Sequence, residues 1–145
     1  MRHIVLRGLP DVVLLTGVPE NRRERRRGLL GRVALGQDEA MLFERTRSVH
    51  TVGMRFEIAA VLLNSDLEVR EVVQLRRWRL LLPRRGTRHV LECAPNVRLR
   101  VGDRLRIDQA GQPPRPAAPV TTQEPASFSS ARFTPSAASS EREDA

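Results

Sequence analysis

The residues His50-Thr51-Val52-Gly53-Met54-Arg55-Phe56 put an imidazole, a thioether, a guanidinium and an aromatic ring within one short stretch. An imidazole and a guanidinium are donors that can fix a small anion, and a thioether beside a ring supplies an apolar wall that strips the anion of water. With the carboxyl of Glu92, these side chains make a candidate ligand-binding set: His50, Met54, Arg55, Phe56 and Glu92. The plain alternative for His50 is a partly buried side chain whose nitrogens satisfy neighbouring backbone groups.

Other chemistries have less support. His3, His50 and His89 lack the spacing that places two ligands on one helix face, so no metal site is assigned, although two histidines with Glu92 could form one. Ser48 and Ser65 are the only serines before residue 109. Neither lies in a nucleophile elbow, and a Ser48–His50 pair has no evident orienting acid. Glu57, Glu92 and Asp103 could pair as acid and base, but sequence does not give their separation. Gly28-Leu29-Leu30-Gly31 reads as a helix stop rather than a phosphate cradle, and no dinucleotide fingerprint is present. No cofactor is implied.

The run Arg22-Arg23-Glu24-Arg25-Arg26-Arg27 raises nucleic-acid binding, since Arg22, Arg23, Arg25, Arg26 and Arg27 could neutralise phosphates. A solvated helix face laced by Glu20–Arg23 and Glu24–Arg27 pairs is favoured instead. Phe43, Phe56 and Trp78 offer little stacking surface for single strands. Trp78, between Arg77 and Arg79, reads first as a core-covering ring with arginines snorkelling around it, and second as a binding hot spot.

The elements that must position these groups are mostly strands. His3 to Arg7 and Asp11 to Thr16 are β-branched segments about a Gly8-Leu9-Pro10 turn, and Ala40 to Phe43 is a short apolar run after a Gly36-Gln37-Asp38 loop. A short surface helix is predicted over about 19–28, with Pro19 in its first turn, Gly28 ending it and Leu29-Leu30 as its only apolar anchor. Ile58 to Leu63 is apolar throughout, and Asn64-Ser65-Asp66 is turn chemistry, so Ile58 to Val73 reads as a hairpin. Pro83 and Gly86 mark an irregular excursion before a strand at His89 to Cys93. Val97 to Ile107 closes the ordered part, with a turn at Val101-Gly102-Asp103.

Residues 1–108 therefore form one mainly β domain, and 109–145, rich in Pro, Ala, Ser and Thr, form a disordered tail that cannot offset its own ordering entropy. The chain has 145 residues and a net charge of +8, and all 25 of its basic residues are arginine. Codon bias explains much of that, and an anion-binding face is the functional alternative. A single cysteine, Cys93, excludes an intrachain disulfide and reads as a small buried hydrophobe. The N-terminal stretch is broken by Arg7, Gly8, Pro10 and Asp11, so neither a leader peptide nor a membrane span is expected, and a cytoplasmic protein is.

Three pieces stand in a telling order: Arg27-Gly28-Leu29-Leu30-Gly31-Arg32, then His50 to Phe56, then Val90-Leu91-Glu92 followed by Val101-Gly102-Asp103-Arg104-Leu105. In this the chain resembles the DUF192 family of small prokaryotic proteins over about Val12 to Ile107. The resemblance implies a compact β-sandwich of jelly-roll type with one short helix, and brings no agreed reaction, substrate or cofactor. Two departures stand out. Ala59 occupies a position where family members commonly carry Asp, and the stretch between Glu92 and Val101 is short enough that a helical turn there is trimmed.

The function expected from these readings is a non-catalytic binding or accessory domain for a small anionic ligand or an acidic protein partner. The alternatives are a small hydrolase using His50 or a carboxylate, and weak nucleic-acid binding through the helix arginines.

Overall fold

The structure, a computed structural model, describes residues 1–108. The predicted disordered tail, 109–145, lies outside the described residues. Nine strands and one short helix follow in chain order: β1 Arg2–Gly8, β2 Val12–Val18, α1 Arg22–Arg27, β3 Glu39–Phe43, β4 Val49–His50, β5 Ile58–Leu63, β6 Val69–Leu75, β7 Leu80–Leu81, β8 His89–Cys93 and β9 Arg106–Asp108. The expected mainly β class with one helix holds. Seven strands form one sheet in the order β6-β5-β8-β3-β2-β1-β9, and β4 pairs with β7 in a separate two-stranded ribbon.

The sheet curls until its ends meet. The segment leading into β9 bonds to the start of β6, with Val69 donating to the Asp103 carbonyl at 2.8 Å and Leu105 donating to that of Leu67 at 2.9 Å. β9 itself then pairs with β1 at the far end of the strand order. Unpaired strand edges are thereby partly removed.

β5 is buried at all six of its positions, so both of its faces need cover. Val61 and Leu63 face one apolar cluster with Leu6, Leu14, Val18, Leu42, Val69, Leu91, Cys93 and Leu105. Ile58, Ala60 and Leu62 face a second cluster with Met41, Phe43 and Val90, to which Leu29, Val49, Met54 and Leu81 are added from outside the sheet. Period-two alternation along a strand divides the residues in this way. Ala59 pairs with Cys93, on the face of the first cluster, whereas Ala60 pairs with Glu92.

Most element boundaries agree with local chemistry. The β5–β6 hairpin turns where Asn64 Oδ1 accepts from the amides of Asp66 (2.9 Å) and Glu68 (3.0 Å). α1 is shorter than predicted. Asn21 is its N-cap, accepting from the Glu24 amide at 2.9 Å, so Pro19 and Glu20 lie outside it. The helix buries none of its own residues, and Leu29, just past its end, is the anchor. The predicted Glu20–Arg23 and Glu24–Arg27 pairs do not form. β1 and β2 place Met1 beside the helix start, and its ammonium binds Glu20 at 3.0 Å and Glu24 at 2.7 Å. Residues 94–105 contain no helix.

α1 owes its location to topology. β2 and β3 are parallel, so the chain between them must cross over the sheet, and α1 lies in that crossover.

The ribbon is held by Thr51, which is fully buried. Its hydroxyl donates to the Arg76 carbonyl at 2.6 Å and accepts from the Arg79 amide at 2.9 Å, while its carbonyl accepts from the Trp78 amide at 3.1 Å. Thr51→Val keeps the shape and leaves those two backbone groups unsatisfied. It is expected to cost about 2 kcal/mol, read as a lower urea midpoint at unchanged slope.

Candidate functional site

Glu92 sits in β8, between β3 and β5 near the middle of the sheet order, and is only 7% exposed. Alternation turns it to the same side as Val90, toward the second apolar cluster. Its ladder partners are Met41 and Ala60. Among the described residues no hydrogen bond or ion pair reaches its carboxyl. A charged carboxylate there would be desolvated without compensation, and burial pushes its pKa up from 4.5 to about 8. At neutral pH the group is a carboxylic acid and a hydrogen-bond donor.

The acid opens into a cavity of about 200 Å³ under α1 and β4. Leu29, Phe43, Val49 and Met54 supply apolar wall, and Arg26, Arg27, Ser48 and His50 supply polar groups. These polar groups are exposed, so they belong to the mouth. Glycine geometry at the helix end shapes the wall. Gly28 has φ +44°, and a Cβ there would lie 3.3 Å from Phe43 Cζ.

The helix arginines divide by role. Arg25 is committed to structure, donating to the Glu44 carbonyl at 2.7 Å and to Thr46 Oγ1 at 3.1 Å. Arg26 and Arg27 have no ion pair or side-chain hydrogen bond among the described residues and lie in the lining of the cavity. Arg22 and Arg23 are exposed and do not line it.

Of the residues singled out in the sequence, the cavity gathers His50, Met54 and Glu92. Arg55 and Phe56 do not line it, a correction that follows from the local backbone. In this turn before β5 Met54 is buried, Arg55 is exposed to solvent, and Phe56 packs, half buried, on the second apolar cluster. The cations that replace Arg55 come from α1. His50 is exposed rather than partly buried, and among the described residues its ring has no hydrogen-bond partner. It lies at the β4–β7 ribbon, where Val49 faces the core and His50 does not. One local signal could have marked the site: a single carboxyl inside Val90-Leu91-Glu92-Cys93-Ala94, where every neighbour is apolar.

Other candidates separate. Partial burial lowers the pKa of His89, and its Nδ1 accepts from the Arg45 amide at 3.2 Å. Asp103 accepts from the Arg100 amide at 2.8 Å within a turn, and Glu57 is exposed at the Trp78 corner, so neither meets Glu92. Cys93 is buried, and desolvation raises its thiol pKa far from the reactive range. Among the described residues no three His, Cys, Asp or Glu side chains cluster as a metal site would require, and no helix is long and apolar enough to cross a membrane.

Comparison with known proteins gives kinship without an activity. Residues 11–107 match the family model DUF192, described as "Uncharacterized ACR". A UPF0127 protein of Pyrococcus furiosus is 36% identical over 62 residues, which are 40% of this chain and 53% of that protein, so the match spans about half the relative's length. A protein of unknown function from Novosphingobium aromaticivorans has a similar structure, with TM-score 0.62 and 18% identity over 72% of this chain and 83% of that one. A proposed transcription regulator from Sinorhizobium meliloti superposes with TM-score 0.58 and 21% identity over 73% of this chain and 94% of that one. At these identities the two structures share the fold with this chain.

The raised Glu92 pKa predicts a pH profile. Between about 4.5 and about 8 the folded protein holds a proton that the unfolded chain has released, so stability falls as pH rises through that window. Glu92→Gln keeps a neutral side chain at every pH. Its melting temperature should stay flat where the wild type declines, and between pH 5 and pH 9 its unfolding free energy should gain on that of the wild type by on the order of a few kcal/mol, measured by thermal denaturation across that range.

Proposed function

The chain belongs to the DUF192 family, which supplies no reaction, and on the geometry of the cavity we propose that it binds a small anion there. The supporting observation is Glu92: a carboxyl 7% exposed, without a partner among the described residues, turned into a cavity whose mouth carries unpaired guanidinium groups. In its protonated state Glu92 donates one hydrogen bond to an anionic oxygen. Arg26 and Arg27 balance the charge, and His50 adds a further donor at the mouth. Met54, Phe43 and Leu29 exclude water and strengthen each polar contact.

Size narrows the ligand. About 200 Å³ is below the roughly 300–1,000 Å³ of sites for drug-sized molecules, which suits inorganic phosphate, sulfate or a short carboxylate. A protein partner reaching this spot would need one narrow acidic side chain.

The hydrolase alternative rests on the same carboxyl, because an acid with a pKa near neutrality is suited to proton donation. It lacks a nucleophile, since no hydrogen bond links Ser48 to His50 among the described residues. The nucleic-acid alternative loses Arg25 to internal bonds and has no aromatic platform on α1. A binding role is therefore the better-supported reading.

Calorimetric titration with phosphate, sulfate, acetate and succinate tests it. At least one anion should bind at pH 6.5 and bind at least tenfold more weakly at pH 9.5, where Glu92 is ionised and the arginines are still charged. Arg26→Gln with Arg27→Gln should weaken binding at pH 6.5 by about tenfold or more, as expected for charge-assisted hydrogen bonds. Glu92→Gln, which retains a donor, should remove the pH dependence. Absence of binding by all four anions, or binding indifferent to these substitutions, overturns the reading.

A further inference from the structure

The excursion between β6 and β8 reads Arg76-Arg77-Trp78-Arg79-Leu80-Leu81-Leu82-Pro83-Arg84-Arg85. The core-covering role expected for Trp78 is not the one the structure gives it. Trp78 is 67% exposed, Leu80 64% and Leu82 63%, while Leu81 between them is 5% exposed. Leu81 is the inward residue of β7, so extended backbone on either side of it directs Leu80 and Leu82 outward together. Val52, next to the Thr51 clamp that binds the Trp78 and Arg79 backbone, adds a fourth exposed apolar side chain.

This ridge is fixed in place. Thr51 holds the backbone at Arg76, Trp78 and Arg79, and the Val49–Leu81 and His50–Leu80 pairs fix the ribbon. Its exposure is therefore built into the fold and does not depend on a loose loop. Cations surround it. Arg76, Arg77 and Arg79 border a shallow depression with Trp78 and a single carboxylate, Glu57. Arg84 reaches Glu71 at 3.6 Å in an exposed pair, and Arg76, Arg77, Arg79 and Arg85 make no ion pair among the described residues.

We propose that the Trp78-Leu80-Leu82 ridge and its flanking arginines dock this protein on the surface of an anionic phospholipid bilayer. An indole is at home at the headgroup level, two leucines can enter the acyl boundary, and guanidinium groups pair with lipid phosphates. Side chains more than three-fifths exposed stand clear of their surroundings, which suits entry into a fluid phase better than interlocking with a partner of fixed shape. A second copy apposed through the same face would bring two arginine clusters together, and like charges oppose that arrangement. The attachment is peripheral and needs no spanning segment. It uses neither Glu92 nor the helix arginines, so it stands or fails independently of the cavity.

Trp78 is the only tryptophan in the chain, so its emission reports the contact directly. The full-length protein is mixed with vesicles of phosphatidylcholine alone or of phosphatidylcholine with phosphatidylglycerol, and emission and co-sedimentation are followed. A blue shift with co-sedimentation is expected on the anionic vesicles, weakened by salt and absent on the zwitterionic ones. Leu80→Ser with Leu82→Ser should lower partitioning about tenfold or more without changing the circular dichroism, and Arg76→Gln with Arg77→Gln should lower it and flatten its salt dependence. The proposal is overturned by no shift on anionic vesicles, or by vesicle binding that the leucine pair does not affect, which is generic cationic adsorption. It is equally overturned by a comparable shift with soluble polyglutamate, which indicates an acidic protein partner, or by a shift with protein concentration alone accompanied by a dimer mass.

Discussion

A strand that is apolar on both faces cannot rest at the surface of a single sheet, and β5, buried from Ile58 to Leu63, imposes that condition on everything around it. One face is covered by the sheet itself, which curls until the segment before β9 meets β6. The other face must be covered by pieces brought from elsewhere: Leu29 past the end of α1, Val49 and Leu81 from the ribbon, and Met54 from the turn before β5. That cover is incomplete because α1 contributes none of its own side chains to it. Where it falls short, over Glu92, the cavity remains.

The electrostatic character of the cavity follows from the same shortfall. Glu92 is surrounded by apolar groups and held away from water, and so keeps its proton at neutral pH. The acidic residues of the helix region are drawn toward the start of β1, where the Met1 ammonium and the Glu20 amide bind Glu24 and lower its carboxyl pKa to about 2. Arg26 and Arg27 are left without those partners and lie along the cavity. Carboxylates at one end of the helix and free guanidiniums at the other are thus sorted by the strands they meet.

The β4–β7 ribbon links two surfaces that the chain order keeps apart. Val49 and Leu81 seal the outer core while His50 and Leu80 face away from it, and Thr51 locks the corner that carries Trp78. Through its hydroxyl and its carbonyl, the buried Thr51 therefore steadies both the ribbon beside the cavity and the corner that carries the exposed ridge. Ala59 lies beside Cys93 on the opposite face of β5 and does not line the cavity.

Much of the fold was legible because it rests on neighbours in sequence. The unbroken apolar run of β5, the Asn64 turn, the β5–β6 hairpin and the bounds of β8 all follow from alternation and turn chemistry acting over a few residues. The stop at Gly28 was legible for the same reason, whereas the start of α1 shifted because Asn21, not the proline, supplies the cap. Residue chemistry also placed Glu92 in the candidate set and left Trp78 between two roles. What the sequence left open was placement: that Arg26 and Arg27 line the same cavity as Glu92, that Arg55 does not, and that Trp78, Leu80 and Leu82 are all left exposed. Those relations come from the parallel β2–β3 crossover and the pairing of two dipeptide strands. Such contacts join residues far apart in the chain and leave no periodic trace in either partner, so only the folded arrangement decides them.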